Sequence, residues 1–379
     1  MFLFLYLEKL YLNNMLRPEI HIVLIWEKGM NKLDHILHDL KASFDILDVV
    51  KINWDESFFS NNLSRFYGQK LPDKSFKERH CGKGSFVAVI IRHNKPFYNR
   101  RTTSKGECLV NNLLFEKKQL YRNWTGGGHR VHTSNDAKES ARDIFLLLNK
   151  KFEDYSDSDI WAGNIRILNS NIQGFSGWKN FDEFFNFINT SSEYIILRNY
   201  ENIELMNLDS SDIDFLTSDI DFMYSINGVK KHNDKNRAAY SIRVGGNSYN
   251  IDIRLVDDRY YDSNWVKNML SNKIIFQDKF FIPDRLNEFY SLLYHSLIHK
   301  NKLSDKYNEK LSSLSLELGL NFESSIFRSK EKSNLILNNF LIQNQYEITR
   351  PKDFSVQYNH GRKGFKRYLW EMIGRLKND

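Results

Sequence analysis

The chain has 379 residues, with 54 Lys and Arg against 47 Asp and Glu, for a net charge of +7. Hydrophobic residues at 41% and charged residues at 27% fit a globular protein of two or three domains and exclude collagen, coiled coil, secreted mini-protein and polytopic membrane protein. Two cysteines, Cys81 and Cys108, are too few for a disulfide framework, and the mild positive charge suits an anionic ligand or a lipid surface without marking a nucleic-acid binder.

Residues 1–12, MFLFLYLEKLYL, are apolar but interrupted by Glu8 and Lys9. They fall short of the roughly 20 residues a spanning helix needs. No small-residue cleavage site follows, so residues 1–18 read as an N-terminal extension rather than a signal peptide. IHIVLIW (20–26) is an apolar run of strand length. Met30, Leu33, Ile36, Leu37, Leu40 and Phe44 then recur at helical spacing, and FDILDVVKINW (44–54) returns to a strand pattern. SFVAVIIR (85–92), bounded by Gly82 and Gly84, predicts another strand. A basic polar stretch, PFYNRRTTSKGE (96–107), is followed by TGGGHRVH (125–132). Asp136 and Glu139 stand at capping-box spacing, opening a helix with Ala137, Ala141, Ile144, Phe145 and Leu148 on one stripe. The acidic run DYSDSD (154–159) reads as a linker between a domain at 19–152 and a second at 160–262. The second domain has strand candidates at EYIILRN (193–199), DIDFL (212–216) and SYNIDIRLV (248–256). Residues 263–379 are mostly helical in period. They end in GRKGFKRYLWEMIGRLK (361–377), a basic amphipathic helix that can lie on an anionic membrane or pack on the helices before it. The class is α/β (α+β).

HRVHTSNDAKESARDIFLLL (129–148) is the most specific string in the chain. It resembles the nucleoside diphosphate kinase family, whose signature runs from an active-site His through a Ser to Glu-Ser-Ala and an amphipathic helix. His132, Ser134, Glu139, Ser140 and Ala141 occupy those positions. IHIVLIWEKG (20–29) and GKGSFVAVII (82–91) sit where the family has its first and third strands, so residues 18–150 are covered. The resemblance implies a ferredoxin-like sandwich in which His132 attacks a nucleotide's terminal phosphate. Asp143 would hold one ring nitrogen, Ser134 would fix the same region, and Arg100, Arg101 and Lys105 would contact phosphates. Trp26 replaces the family's phosphate-binding Lys, with Lys28 displaced by two positions, and His129 replaces an Asn. The implied domain is therefore a degenerate one: a pocket without catalysis, a scaffold without ligand, or an active kinase.

In DIDFL the period of a strand puts Asp212 and Asp214 on one face, able to share a divalent cation, with Asp252 in YNIDIRLV as the third ligand. The alternative is two solvated positions on an edge strand. The pattern resembles the nucleotidyltransferase-fold superfamily, although Asp209-Ser210-Ser211 stands where that superfamily has Gly-Ser. The Leu-Arg-Asn-x-Glu string at 197–201 and LLYHSLIHKNKLSDKY (292–307) more narrowly resemble nucleotidyltransferase-like proteins of bacterial surface-polysaccharide gene clusters. Asp219 and Asp221 repeat the motif but read as a helix start capped by Ser218. Arg198 and Glu201 either line a donor site or pair with each other. His295 and His299 share a helix face, as a zinc pair or as groups facing the donor.

The expectation is a transferase with Mg²⁺ or Mn²⁺ on Asp212, Asp214 and Asp252, and with Asp252 also taking the acceptor's proton. Arg198 would lie at a nucleotide-activated donor, and the acceptor would be a sugar or alditol. No nucleic-acid partner is expected, and the location is cytoplasmic, with peripheral contact at the inner membrane face through the tail. The alternatives are a phosphotransferase acting through His132 and a non-catalytic polyanion-binding scaffold.

Overall fold

Ile22 to Trp26 are fully buried because their strand, β1 (Glu19–Ile25), lies inside a sheet covered on both faces. The computed structural model describes residues 17–103, 106–156, 158–201, 203, 212–300, 304–320 and 322–359. After a short 3₁₀ turn, α1 (Leu33–Ser43) turns Ile36, Leu37 and Leu40 into the core and leads to β2 (Asp45–Asn53). α2 (Phe59–Phe66) and α3 (Phe76–Cys81) precede β3 (Phe86–His93), which is buried throughout. The basic stretch forms an antiparallel hairpin, β4 (Tyr98–Thr103) with β5 (Gly106–Asn111). Then follow α4 (Asn112–Trp124), β6 (Val131–Thr133) and α5 (Ala137–Leu148). Asp136 accepts the backbone N–H of Glu139 at 2.7 Å while Glu139 accepts that of Asn135 at 2.6 Å, so the helix start predicted from spacing forms.

The order β6-β1-β3-β2, with every neighbour antiparallel, is the strand path of a ferredoxin-like βαββαβ unit. One further strand, β7 (Arg166–Asn169), joins the free edge of β2 in parallel, and Arg166 pairs with Asp48 at 2.7 Å. Residues beyond the acidic run 154–159 thus stay with the first sheet. The chain divides after Phe175 rather than at 152–160.

The second unit, residues 176–379, opens with α6 (Phe181–Ser191), β8 (Tyr194–Ile196) and β9 (Ile213–Thr217). It continues through α7 (Phe222–Ser225), β10 (Val229–Lys230), β11 (Ala239–Val244) and β12 (Asn247–Leu255). Gly245 and Gly246, at φ +58° and +83°, make the two-residue turn between β11 and β12. Its sheet has the order β10-β11-β12-β9-β8, with β9 and β12 parallel. The rest is α8 (Ser263–Ser271), the hairpin β13 (Ile274–Phe276) and β14 (Phe280–Ile282), α9 (Arg285–Tyr294), α10 (Asp305–Glu317) and α11 (Lys330–Gln343). One apolar core joins Ile195 and Leu216 of the sheet to Trp265, Phe289, Leu293, Leu311 and Leu341 of the helices. The predicted strand domain and helical region are therefore one packed body.

Ser218 does not cap a helix: its hydroxyl donates to Glu193 at 2.6 Å. The helical turn starts only at Phe222, and Asp219 accepts the Glu193 backbone N–H at 2.8 Å. The N-terminal 16 residues, Lys105, Asp209-Ser210-Ser211 and the basic tail lie outside the described residues. Among the described residues no helix is long and apolar enough to cross a membrane.

Candidate functional site

His132 is the middle residue of β6, opposite Leu24 of β1, and is buried. Its Nε2 lies 3.1 Å from an oxygen of Asp143, which α5 carries fully buried. The other oxygen of Asp143 accepts Nε and Nη2 of Arg142 at 3.0 and 2.8 Å. That carboxylate is shared between an imidazole and a guanidinium and has no oxygen to spare. Phe66 and Tyr67 stand edge-on to the His132 ring, at 5.2 and 5.7 Å between centroids. Trp26 is fully buried against Trp54, Phe59, Phe66 and Phe86 and donates to the Tyr67 hydroxyl at 3.2 Å. Where the resemblance has a phosphate-binding lysine, the chain holds an indole inside an aromatic cluster.

The other residues expected here have separate commitments. Ser134 meets His21 Nδ1 at 3.0 Å, and the far nitrogen of His21 reaches Glu19 at 3.1 Å. Arg101 donates to Asn112 and pairs with Glu116 at 3.5 Å, both on α4, while Arg100 beside it is exposed. Burial and the nearby Arg122 push His129 down to about 4, so it is neutral. Ligand atoms of His132, Glu139 and Asp143 lie within 4.8 Å of one another. Two of the three are carboxylates already paired, with the Asn135 backbone and with Arg142.

In the second unit the parallel register sets Asp214 of β9 directly beside Asp252 of β12. Neighbouring strands are about 4.8 Å apart, and alternation brings Asp212 to the same face. All three line one pocket of about 760 Å³. Arg198, just past β8 and buried, donates to Asp214 at 2.8 Å and toward the hydroxyls of Tyr261 and Tyr260 at 3.3 and 3.5 Å. Glu201 pairs instead with Lys310. Arg254, two residues after Asp252, reaches Asp252 at 3.4 Å and Asp353 at 3.2 Å, with its guanidinium 4.4 Å from the Tyr260 ring centre. Asp353 is itself fixed by the N–H groups of Ala238 and Ser355, at 3.2 and 3.0 Å.

Three lining carboxylates thus face two guanidinium groups, one of them shared with Asp353. Burial raises the pKa of Asp252, and Asp214, Asp212 and Asp353 raise it further, while Arg254 opposes them. Burial also raises Asp258, against the pull of Arg254. Asp353 ends below the usual range: burial opposes ionisation, but hydrogen bonds from Ser355 and the charge of Arg254 outweigh it.

Another part of the lining comes from a π turn, His295–His299, at the end of α9. His295 Nδ1 is 2.7 Å from the Tyr260 hydroxyl. The His299 ring lies 4.1 Å from the Tyr260 ring, and neither of its nitrogens has a hydrogen-bond partner among the described residues. Burial, reinforced by Arg198, drives both histidines well below their ordinary pKa. The exposed Lys300 and Lys306 complete the lining on this side. Sequence reasoning missed Arg254, although the alternation that selected Asp252 also puts residue 254 on the same face. Tyr260 and Asp353 carry no local signal, because only the folded core brings them to the strand.

No family model matches the chain, and no curated protein matches it. Among solved structures, the nucleoside diphosphate kinase of Aquifex aeolicus is similar over 38% of this chain and 99% of that chain, at 14% identity and a TM-score of 0.25.

Proposed function

We propose that the second unit is a metal-dependent transferase of the nucleotidyltransferase fold, with Asp212, Asp214 and Asp252 as ligands for Mg²⁺ or Mn²⁺. The observation that carries this reading is the β9–β12 register, which sets Asp214 beside Asp252 at the wall of a polar pocket. The donor set fits: hard divalent cations take carboxylate oxygens, and burial raises the pKa of Asp252, with Asp214, Asp212 and Asp353 adding to it against Arg254. The bound ion would supply charge neutralisation at the phosphates of a nucleotide-activated donor.

The chain's own groups take the remaining roles. Arg198 holds Asp214, Arg254 holds Asp252, and Lys300 and Lys306 offer ammonium groups to outer phosphate oxygens. Asp252, with its pKa moved toward the working range, accepts the proton of the attacking hydroxyl. The acceptor is a sugar or alditol in bacterial surface-polysaccharide assembly on the cytoplasmic side, a reading supported by the resemblance of residues 197–201 and 292–307. The first unit, a degenerate nucleoside diphosphate kinase-like domain by resemblance, would bind nucleotide or position substrate. The test is calorimetric titration of the full chain with the four ribonucleoside triphosphates. Binding of at least one with Mn²⁺, lost with chelator and in Asp214→Asn, supports the reading; equal binding with chelator sinks it.

A second reading rests on Asp143 holding Nε2 of His132, which leaves Nδ1 with the lone pair for phosphoryl transfer. It calls for acid-labile ³²P incorporation that disappears in His132→Ala. The buried Trp26 and the claim of Arg142 on Asp143 weigh against it. Retained binding to anionic vesicles with no nucleotide affinity would leave only the polyanion scaffold.

A further inference from the structure

Nearly all buried polar atoms in folded chains have a hydrogen-bond partner, so an orphan at a pocket wall marks where a molecule from outside the chain, a water or a ligand, completes the structure. His299 is such a group. It is 3% exposed, it lines the pocket of the three aspartates, and neither Nδ1 nor Nε2 is bonded among the described residues. Its neighbour His295, in the same π turn and equally buried, does have a partner in Tyr260.

The chemistry of the missing partner follows from the charge state. Burial, with Arg198, Arg254 and Lys300, keeps His299 neutral, so its ring offers one N–H and one lone pair. A phosphate oxygen can only accept and leaves the lone pair unmet. A metal ion at the lone pair would face the same arginines and would find His295 already engaged by Tyr260. A hydroxyl both gives and takes. The surroundings agree: the Tyr260 ring packs on His299, Tyr307 lines the pocket half-buried, and Val356 is the only aliphatic side chain among the described lining residues. That wall suits a small polyhydroxylated molecule and not an acyl chain.

We propose that His299 binds a hydroxyl of a second, polyhydroxylated substrate, the acceptor of the transfer; this rests on the metal-and-nucleotide reading of the same pocket. The test is saturation-transfer NMR on the full chain with D-glucose, glycerol and ribitol as probes, in the presence of Mg²⁺ and a nucleoside triphosphate. At least one probe binds the wild type saturably. His299→Gln, which keeps a donor and an acceptor, binds it within about threefold, and His299→Leu binds it at least roughly tenfold more weakly. Nucleotide titration of each variant in parallel reports that it is folded. If His299→Leu fails to fold, ¹⁵N-histidine spectra of the wild type decide, with the His299 ring signals expected to move on saturation with the probe.

The proposal is overturned if His299→Leu binds the probe as tightly as wild type, if the His299 signals stay fixed, or if no probe binds a wild type that does bind Mg²⁺-nucleotide. If a polyol binds through His299 but no nucleotide binds at all, the hydroxyl site stands and the metal-dependent transferase reading falls.

Discussion

The two units treat a buried ionisable group in opposite ways. Around His132 the polar demands are met: Asp143 is divided between His132 and Arg142, and aromatic rings close on the imidazole. Around Asp252 they are not: three carboxylates share a wall, one stays protonated more readily than an ordinary Asp, and His299 has no hydrogen-bond partner among the described residues. A specific string of sequence marks the first site and a short, common one marks the second. Yet unmet electrostatic demand, rather than motif strength, is what a ligand can relieve. The contrast argues that the contacts of His132 have been settled by packing, while the pocket of Asp252 and His299 has room for a partner.

The largest effect that can break this contrast is expected at Trp26. If the aromatic cluster is structural, Trp26→Ala costs about 4 kcal/mol in urea unfolding and creates no nucleotide affinity. A stable variant that gains ATP binding would mean the indole merely plugs a working pocket. Next comes Arg198→Met, which strips a buried counter-charge from Asp214 and should cost about 3 kcal/mol. Saturating Mn²⁺ recovers part of that loss, more than it adds to the wild type; equal gains in both would separate Arg198 from the cation site.

A smaller effect sharpens the comparison directly. Asp252→Asn is expected to weaken Mn²⁺ binding at least roughly tenfold, about 1.4 kcal/mol, while Asp143→Asn leaves it unchanged in the same titration. Loss at Asp143 instead would move the ion to the first unit. The smallest effect is on pH dependence. The folded pKa of Asp252 is above the value of the unfolded chain, so the folded form binds the proton more tightly and stability falls as pH rises through that interval. Without divalent cation, the stability advantage of Asp252→Asn over wild type should therefore grow as pH rises from 3.8 through the raised pKa and then level off. A difference that stays flat from acid to neutral pH contradicts the raised pKa of Asp252.

What could be read in the chain depended on whether the signal was local. The apolar runs of β1, β2 and β3 and the capping pair at Asp136 and Glu139 were legible because burial and hydrogen bonding act over a few residues. The shared face of Asp212 and Asp214 followed from alternation alone, but their alignment with Asp252 needed a parallel pairing that no short window contains. The hairpin at 98–111 was hidden because its arms are polar and largely exposed. β7 was hidden because RILN has value as a strand only at the open edge of β2. The shared core of strands and helices, like the grip of Arg198 on Asp214, belongs to tertiary packing.

Asp353 gives the second unit a dependence on chain completion. It binds Arg254 and the Ala238 backbone from a segment 99 residues downstream of that arginine. A ribosome that has built the whole sheet has therefore not yet supplied the anion that shares Arg254 with Asp252. Truncation by a premature stop or a protease ahead of residue 353 would remove that anion and leave Arg254 to Asp252 and Asp258 alone.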